Sequence, residues 1–217
     1  MLILKPNYII YINLAHREDR KQHVITQLDS IGINTLERFN AIKLTHGALG
    51  CSRSHLNCLL MAKERNWSHV LIVEDDILFL NPTLFKTQLN KFLTTTKKWD
   101  VVLFAGNNIP PYTKNGDHSI KVSTCQTAGG YLVKNHYFDE LINNFSEGMS
   151  LFVENPTKGI KYAVDKYWFS LQLIHKWYLI MPLSVTQLCG YSDIEKSQTN
   201  YTRLMLDVDK KYLFKKK

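Results

Sequence analysis

Cysteine is scarce in this chain. The 217 residues hold four, Cys51, Cys58, Cys125 and Cys189, and no C-x-x-C pair, so the usual spacing of a structural zinc site is missing. Cys51 and Cys58 fall seven residues apart in a helical pattern. At ~1.5 Å of rise per residue they lie ~10 Å apart along the axis, beyond the ~7 Å that a disulfide tolerates. Four free thiols in a reducing, cytoplasmic setting are expected. Glycine and proline together make only 16 residues and charged residues 21%, which excludes wholesale disorder. No apolar run reaches the ~18 residues of a membrane span. The opening "MLILKPNYIIYINL" is interrupted by Lys5, Pro6 and Asn7, with no small-residue cleavage site after it, so a first strand is expected rather than a secretory leader.

Apolar residues, by contrast, make up 45% of the chain, enough for one core and one domain. Lys and Arg outnumber Asp and Glu by 27 to 19, a net charge of +8. That balance favours an anionic partner, whether nucleotide phosphate, nucleic acid or an acidic membrane, and does not choose among them. Three of the positive charges are the terminal Lys215, Lys216 and Lys217, a basic tail suited at most to peripheral membrane contact.

Strand-like runs alternate with helical ones. "NYIIYINL" (7–14), "TLERFNAI", "HVLIVEDD" and "WDVVLFAG" (99–106) read as strands, separated by amphipathic helices at about 16–31, 47–67 and 82–93. Residues 107–118 read as a loop, and "IKVSTCQTAGGYLV" as further β structure. Two helices, at about 135–145 and 164–176, a late strand "WYLIMPLSV" and a final helix near 200–214 complete the pattern. This predicts an α/β/α sandwich of Rossmann type around a mainly parallel sheet. The single domain divides into a first half at about 1–106, a second half at about 107–195 and a tail at 196–217.

Within "SHVLIVEDDILFL" three consecutive acids, Glu74, Asp75 and Asp76, interrupt an otherwise apolar run. Unpaired charge in an apolar setting is costly, so such groups pair or hold a metal. The alternative is that the strand ends at Val73 and the acids occupy a solvated turn. Strand alternation puts Glu74 and Asp76 on one face and Asp75 on the other. Paired carboxylates suit Mg²⁺ or Mn²⁺, which commonly share their shell with substrate phosphates. In α/β folds ligands bind at the carboxyl ends of strands, and "NLAHREDR" supplies His16, Arg17 and Arg20 just past the first strand.

"YINLAHREDR", "GALGCSRSHL" ahead of "VLIVEDDILF", "TAGGYLV" ahead of "AVDKYWF", and the closing "PLSVTQLCGYSDI" together resemble glycosyltransferase family 25 over about residues 7 to 194. The resemblance implies a GT-A type fold, a UDP-hexose donor (galactose or glucose), Mn²⁺ or Mg²⁺, and transfer with inversion to a glycan, lipopolysaccharide or hydroxylysine-type acceptor. It places the acid motif on Glu74, Asp75 and Asp76, with Asp76 and Glu74 on the metal. The nucleotide-side motif falls on Asn13, Leu14, Arg17 and Arg20, and a further motif on Gly50, Cys51, Ser54 and His55. His55 is either a core histidine or an orienting group for Ser54, the metal ligands or a phosphate. Gly129 and Gly130 are either a bulge or a close approach to the sugar. Gln187, Ser192 and Asp193 are expected to complete the donor site. Asp165 is the candidate general base, with helix capping as its alternative role. Tyr112, Tyr131 and Trp168 are candidates for stacking on sugars. Nucleic acid is not expected as a partner. A metal-dependent nuclease or nucleotidyltransferase and a non-catalytic sugar-nucleotide or glycan-binding module stay open as other readings.

Overall fold

The computed structural model describes residues 8–211; Lys5, Pro6 and the lysines of the tail, 215 to 217, lie outside them. The first strand, β1 (Ile9–Asn13), is buried along its whole length, as its unbroken apolar run requires. It feeds α1 (Glu18–Ser30), whose Val24 and Leu28 are buried. Gly32, at a φ of +82°, turns the chain out of this helix. β2 (Glu37–Asn40), α2 (Gly47–Glu64), β3 (His69–Glu74), β4 (Ile77–Phe79) and α3 (Pro82–Thr95) follow. Asn81 caps α3, its side chain accepting from the Leu84 amide at 3.0 Å, with Pro82 in the first turn.

The second part holds β5 (Val101–Leu103), β6 (Asn107–Asn108), β7 (Tyr112–Asn115), β8 (Ser119–Val122), β9 (Cys125–Gln126) and β10 (Gly130–Lys134). Helices α4 (Phe138–Glu154), α5 (Val164–Tyr167) and α6 (Phe169–Ile174) precede β11 (Trp177–Ile180). β12 (Val185–Gln187), β13 (Gly190–Ser192), β14 (Ser197–Thr199) and α7 (Thr202–Leu206) close the described chain.

Eight strands form one sheet in the order β2-β1-β3-β10-β5-β11-β8-β7. The pairs β1–β2, β1–β3 and β5–β11 are parallel, while β10 and β8 run against their neighbours. Six of the eight strands therefore point one way, the expected mainly parallel sheet with two reversed members. Helices cover both faces. Cys58, Leu59, Phe138, Leu141 and Phe145 pack on one, and Val24, Leu28, Phe85, Leu89 and Phe92 on the other, which makes the α/β/α sandwich.

Four local expectations change. β3 ends at Glu74, and Asp75–Asp76 form the turn into β4, so strand alternation does not govern the three acids. The polar segment at 107–118 contains β7, an edge strand paired to β8, where a few polar residues lose little by pairing on one side. The long β run after Ile120 breaks into the end of β8, β9 and β10, with Thr127 at a φ of +92° between the last two. The last helix is short, Thr202–Leu206.

Candidate active site

The turn after β3 is held from three directions. Helix α1 reaches it through His23, whose Nε2 lies 2.8 Å from the Ile77 carbonyl, and through Gln27, whose side chain accepts from the Phe79 amide at 2.8 Å. β12 pairs with β4, and the Leu188 amide donates to the Asp76 carbonyl at 2.7 Å. From the sheet side, the Glu74 amide donates to the Gly129 carbonyl at 2.9 Å. The backbone of the acid triplet is thus pinned before any side chain acts.

Asp75 and Asp76 share one cation. Arg20 Nη1 lies 3.2 Å from an oxygen of each, and its Nη2 donates to the Tyr191 carbonyl at 2.9 Å. Asn13 donates to Asp75 at 2.7 Å, and itself accepts from Arg38 Nε at 3.0 Å. Gln187 donates to Asp76 at 3.2 Å. Even so, burial first, and then the charge of Glu74, push Asp76 up to about 7. Burial also raises Asp75, with Asn13 and Arg20 opposing. The donors here are oxygens, and one guanidinium serves two acids in a buried turn. A hard divalent cation fits that donor set.

Glu74 faces another way. Its Oε1 is 3.2 Å from His55 Nε2 and 3.4 Å from Cys51 Sγ, both on α2. His55 is fully buried, and its Nδ1 is 2.9 Å from the Tyr131 hydroxyl. Burial works to raise Glu74, but the hydrogen bond and charge of His55 outweigh it and hold the carboxyl below its usual range. The other oxygen, Oε2, lies 4.0 Å from where a Cβ on Gly129 would stand.

A cavity of about 660 Å³ opens beside this turn. Asn13, Leu14, Arg20, Ser54, Glu74, Asp75, Asp76, Asp165, Gln187 and Ser192 all line it. Arg17, His55, Gly129 and Gly130 stand behind the lining. Arg17 instead grips Asp193 at 2.6 Å and Asp19 at 2.8 Å, which ties α1 to the hairpin of β13 and β14. Gly130 is buried in β10, where a Cβ would come 2.7 Å from Ile77 Cδ1; its bareness serves sheet packing. Gly50 is needed for a backbone approach, since a Cβ there would meet the Ile42 carbonyl at 2.4 Å. Ser54 Oγ accepts from the Ile42 amide at 2.9 Å. Those two motif residues hold the 41–46 loop, part of the cavity wall, against α2.

Asp165 does not cap its helix. α5 begins at Val164 with Ala163 in the cap position, and Asp165 accepts from the Thr127 amide at 3.2 Å. It therefore stabilises the left-handed Thr127. Burial, then Glu74, raises its carboxyl above the usual range. Of the aromatic candidates, Tyr131 and Trp168 are fully buried and pack edge-to-face at 5.7 Å, and Tyr112 donates to Asp209 at 2.6 Å. Three contributors escaped the sequence reading. No local residue signals the left-handed backbone of Thr127, and Tyr201 and Met205 line the cavity from the chain's last turns. All four cysteines are free, and among the described residues no helix is long and apolar enough to cross a membrane.

The family model described as "Glycosyltransferase family 25 (LPS biosynthesis protein)" matches residues 37–153. No curated protein matches the chain. Among solved structures, the chain is similar to a glycosyltransferase involved in the glycosylation of the major capsid of PBCV-1. The identity is 12% and the TM-score 0.45, over 82% of this chain and 94% of that one. It is also similar to mannose-1-phosphate geranyltransferase from Thermus thermophilus, at 9% identity and a TM-score of 0.45 over 81% and 74%. An apo UDP-glucose pyrophosphorylase gives 9% and 0.43 over 80% and 71%.

Proposed function

The chain belongs to glycosyltransferase family 25, and on that premise we propose that this glycosyltransferase moves a hexose, galactose or glucose, from a UDP-sugar to a hydroxyl of a glycan-type acceptor, with inversion. The observation that carries this reading is the convergence of Asp76, Arg20, Gln187 and Asp165 on one cavity. Asp76, with the remaining oxygen of Glu74, would hold Mn²⁺ or Mg²⁺, which when bound supplies Lewis-acid stabilisation of the departing diphosphate. Arg20 and Gln187 fix the Asp76 carboxylate in place. Asn13 and Leu14 bound the donor side, and Ser192, on the hairpin, closes it. Asp165 takes the proton of the acceptor hydroxyl as that oxygen bonds to the anomeric carbon and the bond to UDP breaks. Its raised carboxyl suits a base that must hold a proton for part of the cycle.

Calorimetry of UDP binding tests the core of this. Mn²⁺ is expected to strengthen binding, and Asp76→Ala to abolish the strengthening while UDP alone binds as before. Equal affinity in chelator and in Mn²⁺ sinks the reading. Released UDP, scored over a panel of nucleotide sugars and acceptors, then identifies both substrates.

A further inference from the structure

We propose a second cation site in this molecule, built from Cys51, His55 and Glu74 and suited to Zn²⁺ or another thiophilic divalent ion rather than to Mn²⁺. Among the described residues this is the one group of three such side chains whose ligating atoms all lie within 4.8 Å of one another. Cys51 and His55 are one turn apart on the same face of α2, and Glu74 meets them from the end of β3.

Two of the three ligand spacings match a tetrahedral ion, and the third is within 4.8 Å. Bond lengths of about 2.3 Å to sulfur, 2.0–2.1 Å to nitrogen and 2.0–2.2 Å to oxygen, at tetrahedral angles, put sulfur and oxygen about 3.6 Å apart and nitrogen and oxygen about 3.4 Å apart. The corresponding separations here are 3.4 Å from Cys51 Sγ to Glu74 Oε1 and 3.2 Å from His55 Nε2 to the same oxygen. A supporting group is present too. A metal-binding imidazole usually donates its other N–H to a fixed partner. Here His55 Nδ1 is 2.9 Å from the hydroxyl of Tyr131, itself fully buried and packed against Trp168.

Cys51 and Glu74 line the cavity, which provides an entry path and an open fourth position. The donor set of sulfur, nitrogen and one oxygen differs from the all-oxygen set of Asp76 and Glu74, and thiolate with imidazole selects zinc over manganese. Binding releases the thiol proton of Cys51 to solvent and moves the imidazole proton from Nε2, where it faces Glu74 in the free site, to Nδ1, where it is donated to the Tyr131 hydroxyl. Glu74 belongs to both sets, with Oε1 facing Cys51 and His55 and its other oxygen left for the proposed transfer site.

Cobalt tests the site without donor or acceptor. Titrating Co²⁺ into the metal-free protein should give one equivalent of a sulfur-to-cobalt charge-transfer band in the near ultraviolet. Zn²⁺ should displace it. Cys51→Ser should remove the band, while Asp76→Ala and Cys189→Ser keep it. Tyr131→Phe should weaken binding by ~10-fold, the scale of losing a partner behind a ligand. In case Cys51→Ser folds poorly, alkylation of the wild-type protein gives an independent readout: Zn²⁺ should protect Cys51 and leave exposed Cys189 reactive. Absence of the band, its survival in Cys51→Ser, or unprotected Cys51 at saturating Zn²⁺ would overturn the proposal.

Discussion

Two sides of a single turn, meeting between Glu74 and Asp75, solve the burial of negative charge differently. On one side Asp75 and Asp76 lean on a full positive charge, Arg20, reinforced by the amides of Asn13 and Gln187. On the other, Glu74 accepts from an imidazole and a thiol. Charge-assisted bonds are strong, but they leave an expensive ion behind when a partner is removed. A thiol is a weak donor, and on that side one imidazole faces one carboxylate rather than one guanidinium two. The first side is accordingly a place to hold charge, and the second a place to aim an oxygen.

The contrast breaks most visibly at Arg20. Arg20→Leu strands two carboxylates with side-chain exposures of only 11% and 15%, and should cost about 3–5 kcal/mol in urea unfolding. Adding Asp75→Asn should recover part of that loss. Asp165→Asn comes next. It should lower transfer by roughly 100-fold, with the melting temperature and Mn²⁺–UDP affinity kept, because asparagine still offers an oxygen to the Thr127 amide. Near-normal transfer would leave Asp165 only its hold on Thr127. On the His55 side, Tyr131→Phe removes one hydrogen bond to His55 and should cost about 1 kcal/mol; a loss equal to that of Arg20→Leu would erase the distinction drawn above. The smallest effect belongs to the rim, where Asp193→Ala frees Arg17 from a partly buried pair but leaves it Asp19, and should change stability by about 1 kcal/mol or less.

The sequence announced the first half of the molecule better than the second. β1 and β3 are apolar, β-branched runs set among clear amphipathic helices, so period and breakers agree. Past Gly106 the signals are weaker. β7 is polar because it is an edge, and β10 reads like any buried strand whichever way it points. Direction in a sheet is not written in side-chain pattern but in which neighbours the chain finds. The same limit shaped the site. "EDD" and "HREDR" signalled charge and so were found, and Asp165 stood out as an acid among aromatics. Alternation placed Glu74 with Asp76, because it could not foresee that the backbone turns at Asp75. The packing roles of Gly50 and Gly130 depend on the Ile42 carbonyl and on Ile77, partners that only the folded chain brings near.

The pairing of β4 with β12 has a consequence for how the protein is made. Ile77–Phe79 emerge early, yet their partners Val185–Gln187 come more than a hundred residues later. At a synthesis rate of ~5–20 residues per second the acid turn waits roughly 5–20 s for its last clamp. During that interval Asp76 lacks Gln187, and one flank of the turn has no strand beside it. Long-range closures of this kind slow folding, so the cavity beside the acid turn should be the last part of the nascent chain to mature, and the stretch most dependent on being shielded until it does.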